Sequence, residues 1–352
     1  MAATGTLARP SYGLSPNQRD AALRVGGPVI VALAGFSILL AIYGKNPLDT
    51  YWDVLHATFG SARGFGEVLV IMIPLMFCAL AVAIPARIGL VNVGGEGQLY
   101  LGAVFAAFVP LTWPGLPIGV MLPLMLLAGF LGGGLWAGVL GFLRARGLLS
   151  EVLSTLLMNS VAGYLLSYLV FGVWRDPQSS NFPQSKTFPH AGVLPHFWTG
   201  RLHIGLFIAL AAVALFWFIL YKTRWGYEMR AIGGNPEAAK RSGIPIAWYI
   251  VILMIIGGGI AGIGGMAETS AIQGRLRPGF SSSYGYIGFL ISWMAGHNPV
   301  LIVLMSFMLA IITSGRDVLQ ITQNLPGSAV NILMALILFV VLARRTRKAG
   351  EA

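Results

Sequence analysis

The chain has 352 residues, of which 56% are hydrophobic and only 10% charged, and it carries a formal net charge of +11. Soluble domains carry roughly 25% charged residues, so this composition, with its positive mean hydropathy, excludes an ordinary water-facing globule. The basic excess falls in short segments between apolar runs and forms no stripe with interleaved aromatics. That distribution excludes a nucleic-acid face and reads as a membrane topology signal.

About 27 mostly polar residues come first, with no A-x-A-like cleavage site after the apolar run that follows them. Apolar runs then predict helices at about 28–43, 67–85, 90–110, 118–143, 150–172, 203–221, 247–266, 284–296, 299–314 and 327–343. The expectation is an all-α membrane protein of about ten transmembrane helices. Its parts are an N-terminal segment 1–27, a membrane domain 28–343 and a basic tail 344–352. The first, eighth and ninth runs are short for the ~20 residues that a span needs.

With the N-terminus inside, fifteen Lys and Arg residues fall on the inner side, among them Arg144, Arg146, Lys240 and Arg241, against eight outside. Positive charge is retained on the cytoplasmic side, so both termini are expected there. Residues 173–202, rich in Pro, Ser and Asn, become an irregular outer loop, and 222–246 an inner loop. Glycines cluster at 132–134 and in the run 257–265, where small residues let helix backbones approach closely. The single cysteine, Cys78, lies inside an apolar run and allows no disulfide framework.

The inner loop has the clearest local grammar. Gly233-Gly234-Asn235-Pro236 reads as a turn, with Asn235 placed to cap, Pro236 to open a helix and Glu237 to favour its positive end. Residues 237–242 then form a short helix, which Gly243 stops and Pro245 keeps from continuing. By local physics two readings stand: a peg that docks in a groove of another protein, or a connector resting on the membrane surface.

Several polar residues lie within the apolar runs. Asn92 and Glu96 are four apart and are expected on one face of the third helix, with Glu96 roughly 9 Å into it. A carboxylate there costs at least ~2.5 kcal/mol unless paired, protonated or wetted. It is either part of a permeation path or a group that satisfies backbone at a helix break. Asn159 either faces a path or bonds a neighbouring helix. Glu268, Gln273, Arg275 and Arg277 belong to an outer mouth or to a solvated loop. No G-x-x-x-x-G-K-S/T phosphate loop, H-E-x-x-H or G-x-S-x-G string is present, and the scattered histidines suggest no metal.

The string Glu237-Ala238-Ala239-Lys240-Arg241-Ser242-Gly243 resembles the EAA-x-x-x-G coupling segment of ABC-importer permeases. In its context from Gly233 to Ile244 it is similar to the branched-chain amino acid/ribose-type permease family. Residues 89–98, GLVNVGGEGQ, resemble that family's GLxNxGxEGQ segment, and the likeness runs from about 67 to 343. The resemblance implies that Gly234, Asn235, Pro236, Glu237, Ala238, Ala239 and Gly243 couple the chain to a cytoplasmic ABC ATPase. That partner would hold the ATP and Mg, leaving this chain an inner-membrane transport subunit that is no enzyme and has no cofactor of its own. Asn92, Glu96, Gln98 and Asn159 are assigned to the translocation path. Trp174-Arg175-Asp176-Pro177 with Asn181-Phe182-Pro183-Gln184 resembles the nucleoside branch. That branch implies a second, non-identical permease and an external solute-binding lipoprotein or periplasmic protein. A sugar or branched-chain amino acid remains an alternative cargo. So does an ion-coupled transporter using Glu96.

Overall fold

The computed structural model describes residues 27, 30–31, 33–179, 182–198, 200–326 and 328–349. Most of the N-terminal segment, with Arg9, Arg19 and Arg24, lies outside the described residues, as does Asn181. The chain divides into a unit of residues 46–330 and a second made of its two ends, 1–45 and 331–352. The end unit holds helix α1 (Leu33–Ile42) and most of the last helix, with Gly35 against the Leu336 side chain.

The larger unit is helical, and no strand forms among the described residues. Its helices are α2 (Pro47–Phe59), α3 (Ala62–Ala86), α4 (Gly95–Thr112), α5 (Ile118–Ala145), α6 (Glu151–Phe171), α7 (Gly205–Lys222), α8 (Arg224–Gly234) and α9 (Pro236–Arg241). They continue with α10 (Ile246–Glu268), extended by a π-helical turn at 269–273, then α11 (Tyr284–Met294) and α12 (Pro299–Gln323). The last helix, α13, is Ser328–Ala349. Among the described residues six helices are long and apolar enough to cross a membrane: α3, α5, α6, α7, α10 with its π turn, and α12.

Four differences from the expected elements have identifiable causes. Asn46 accepts from Leu48 N at 3.0 Å and Pro47 opens α2, so a capped helix forms where only an outer segment was expected. The third helix starts at Gly95 and not at 90. The side chain of Asn92 bonds to backbone on both sides of it and holds residues ahead of the helix in an irregular path. Asn92 and Glu96 therefore share no helix face, and Glu96 is the second residue of α4. The ninth predicted helix runs to Gln323 and not to 314, because Gly315 seats against Val54 and Gln323 donates to Asp53 at 2.7 Å. Gly233 and Gly234 end helix α8 and form no turn of their own; Gly233 lies on the Arg87 carbonyl, where a side chain would collide.

The core of the larger unit is α10 packed on α3, α4 and α5. Glycines make this contact backbone to backbone: a methyl on Gly262 would collide with the Gly129 carbonyl, one on Gly102 with Gly262, one on Gly265 with the Leu99 carbonyl. Where lipid supplies no hydrophobic drive between helices, such close approach provides the packing energy. Cys78 is buried on α3 against Gly288 of α11. Both α3 and α10 run from one end of this unit to the other. At one end lie Arg87, His297, α8 and α9. At the opposite end Glu67 pairs with Arg201 at 2.6 Å, and the loop 173–204 bonds to the segment after α10.

Candidate functional site

Two groups of residues stand apart from ordinary packing. The first is a buried polar cluster where α3, α4, α6 and α11 meet. Asn92, fully buried, donates to the Ala81 carbonyl at 3.0 Å and exchanges two hydrogen bonds with the Gln98 amide at 2.9 and 3.1 Å. This ties the irregular segment ahead of α4 to α3. Asn159 on α6 accepts from Gly97 N at 2.8 Å and donates to the Val93 carbonyl at 2.9 Å and to the Tyr286 hydroxyl at 3.3 Å. Thr155, one turn earlier, accepts from Val93 N at 3.1 Å.

Glu96 reaches across to α11 and accepts from Gly285 N at 2.7 Å, with the Ser281 and Tyr100 hydroxyls as further donors. It sits in the first turn of α4 and touches the first turn of α11, so two helix N-termini present positive potential to one carboxylate. Gly95 and Gly285 meet beside it, which lets the two helix starts approach this closely. The four polar residues singled out in the sequence are thus brought together, and their hydrogen bonds lie within the chain. Tyr286, 42% exposed, joins the cluster to the surface. Tyr100, Ser281 and Tyr286 were not legible as partners, because they come from distant segments whose spacing says nothing of the meeting.

The second group is the projection made by α8 and α9. Asn235 Oδ1 accepts from Ala238 N at 3.0 Å and Pro236 stands in the first turn, as the sequence predicts. Glu237 and Arg241 form an exposed pair at 3.4 Å, Ala239 is buried at 4% exposure, and Gly243 takes φ +80°, which favours glycine. No atom lies within 4 Å of where a Cβ on Gly234 or Gly243 would stand, so α9 is flanked by open space. Helix α8 packs onto the end of α7, with Gly226 on the Leu220 carbonyl and Arg230 donating to that same carbonyl. Glu228, on α8, accepts from the buried Tyr249 hydroxyl of α10 and from Arg224 Nε at 2.8 Å. The i,i+4 pair of Arg224 and Glu228 is visible in the sequence; the partner on α10 is not.

At the opposite end, Arg175 bridges Ser185, and Asp176 N donates to the Gln184 carbonyl at 2.9 Å. The two strings that resemble the nucleoside branch therefore lie side by side. A cavity of about 660 Å³ opens there between Phe171, Gln178, Phe182, Gln184 and Arg277. Glu268 and Gln273 belong to α10 and its π turn and not to a solvated loop; Gln273 donates to Glu268 at 3.1 Å. Among the described residues no three His, Cys, Asp or Glu side chains gather as metal ligands would.

Residues 64–342 match the family model described as branched-chain amino acid transport system / permease component. The chain belongs to this permease family. The permease is 33% identical to a glucose ABC transporter permease protein of Haloferax volcanii, over 91% of this chain and 87% of the relative. To a guanosine ABC transporter permease protein of Bacillus subtilis it is 30% identical, covering 89% of this chain and 90% of the relative. A nucleoside ABC transporter permease protein of Lactococcus lactis subsp. cremoris is 27% identical, over 90% of each chain. The match takes in both the polar cluster and the α8–α9 projection of this multi-pass membrane permease.

Proposed function

We propose that the permease is the membrane subunit of an ATP-driven importer that moves a nucleoside inward across the plasma membrane. The observation that carries this reading is α9: a helix with a side-chain cap and glycine-flanked, exposed at the end of the unit where the basic residues of α8 and α9 lie. Such a peg fits a groove on a separate cytoplasmic ABC ATPase, which would bind the ATP and Mg. Gly234, Asn235, Pro236, Glu237, Ala238, Ala239 and Gly243 are its coupling residues. The end with Arg87, α8 and α9 is then cytoplasmic, both termini lie on that side, and ten helices cross the bilayer. A second, non-identical permease completes the pore, and an external solute-binding lipoprotein or periplasmic protein feeds it from the end with the loop 173–204.

In this reading Asn92, Glu96, Gln98 and Asn159 form the frame of the translocation path, and Tyr286 presents that frame to the solute. Glu96 holds α4 to α11 and carries no transported proton. Nucleoside as cargo rests on the guanosine and nucleoside relatives and on the paired strings 174–177 and 182–184. Glucose is the second reading, favoured by the relative that is 33% identical. The test is uptake into vesicles holding the complete transporter with ATP. Labelled guanosine should accumulate, and excess glucose should leave the accumulation unchanged. Accumulation of glucose without guanosine would move the cargo to a sugar.

A further inference from the structure

Helix α10 with its π turn is fastened by polar bonds at both ends, with a glycine seam between them; at the outer end His196 Nε2 also bonds the Ala271 carbonyl at 3.2 Å. Tyr249, 2% exposed in its first turn, donates its hydroxyl to Glu228 of α8, whose other oxygen is held by Arg224. Beside it the rings of Trp225 and Trp248 meet edge to face at 5.4 Å. Ser270, fully buried in the π turn, donates to the Gly192 carbonyl at 2.7 Å and accepts from Leu194 N at 3.0 Å. From Tyr249 to Ser270 the helix covers about 31 Å at ~1.5 Å per residue.

Between those points α10 meets its neighbours across glycines, in part backbone to backbone and in part against side chains such as Phe130 on Gly259 and Phe77 on Gly264. Gly257 lies on the Ala81 carbonyl of α3, Gly258 on Gly133 and Gly262 on Gly129 of α5, and Gly265 on the Leu99 carbonyl of α4. Contacts this close leave little room for re-packing, so the helix resists sliding against the block it belongs to. A displacement applied at Tyr249 must reappear at Ser270. Helix α9 leans on the unit through the buried Ala239 and is otherwise exposed. Its thrust enters α10 directly, through the four residues 242–245 that join the two helices, and through α8, whose side-chain bond into α10 is Glu228 to Tyr249. π turns inside α-helices recur at functional positions, and here the turn aims Ser270 at the loop 173–204.

We propose that α10 is the transmission rod of the permease, with Tyr249 and Ser270 as the positioning residues that fasten it to the coupling helices and to the outer loop. This rests on the reading of α9 as the ATPase contact. Through the rod, docking of a loaded receptor on the loop reaches the ATPase, and ATP-driven closure reaches the loop.

The test uses the complete transporter in vesicles, with Tyr249→Phe, Ser270→Ala and the double variant. Each should co-purify with the ATPase and keep its receptor-independent ATP hydrolysis. Stimulation by loaded receptor should fall about tenfold in either single variant, the order expected of one lost hydrogen bond, to a carboxylate at Tyr249 and within the buried π turn at Ser270. Because the fastenings act in series, the double variant should lose no more than a single one, whereas independent stability defects so far apart would multiply. Ser270→Cys replaces Ser270→Ala if the latter does not assemble. Undiminished stimulation in either single variant, or multiplied losses in the double, would overturn the rod. Glu237→Lys separates the two ideas: if it too leaves uptake intact, the α9 reading itself fails.

Discussion

Asn159 shows how a single amide can hold a helix that has little else to hold it. Helix α6 buries only a narrow face, and Asn159 satisfies both an N–H in the first turn of α4 and a carbonyl of the irregular segment ahead of it. Replacing it by alanine leaves Gly97 N and the Val93 carbonyl unpaired. Asn159→Ala should lower stability by about 1–3 kcal/mol, read as an earlier thermal transition in detergent. His203 makes a different kind of residue-scale case. Burial, with His196 beside it, pulls its imidazole from the usual 6.5 down to about 4, and Gly205 N donates to its Nδ1. Its folded value lies below the unfolded one, so its full stability is present above about pH 6.5 and is lost as pH falls towards 4. The loss approaches ~3 kcal/mol. Amide exchange in the loop 173–204 should quicken over that window, and His203→Gln should remove the dependence.

At the scale of elements, the same substitution has opposite effects on two glycines of α5's surroundings. Gly262→Ala places a methyl on the Gly129 carbonyl and forces α10 off α5, which should cost about 1–3 kcal/mol. Gly119→Ala, in the first turns of α5 with open space around it, should be neutral or stabilise by up to about 1 kcal/mol. Comparing their thermal transitions separates packing from backbone entropy. For α9 the expected outcome is functional: Glu237→Lys or Gly243→Asp should abolish uptake while the protein still inserts and keeps its helix content. The Gly243 variant adds strain at a left-handed residue, so Glu237→Lys is the cleaner probe.

For the whole molecule, the proposed function takes its energy from a partner ATPase and not from a proton carried by Glu96. Uptake in ATP-replete vesicles should therefore persist when a protonophore is added. Arrest by the protonophore, repeated by Glu96→Gln, would instead make Glu96 a coupling carboxylate. Reporter fusions after Ala352 should be active only in the cytoplasm if the charge bias sets the orientation.

The sequence by itself determined the helical membrane class, the permease likeness and the capped short helix at Asn235 and Pro236. Each of these is written in neighbouring residues: apolar runs, charge bias, cap and stop signals. It missed α2, although the Asn46 cap and Pro47 write its start locally, and it missed α8 and extended α4 through Asn92, where tertiary partners decided the boundaries. Gly315 against Val54 and Gly233 on the Arg87 carbonyl are contacts that no local pattern announces. Only the folded chain placed Glu96 between two helix N-termini and Glu228 beneath Tyr249, since hydrogen bonds between residues 189 and 21 positions apart depend on how helices pack. Local signals fix where a helix can begin; the close approach of backbones decides what its side chains meet.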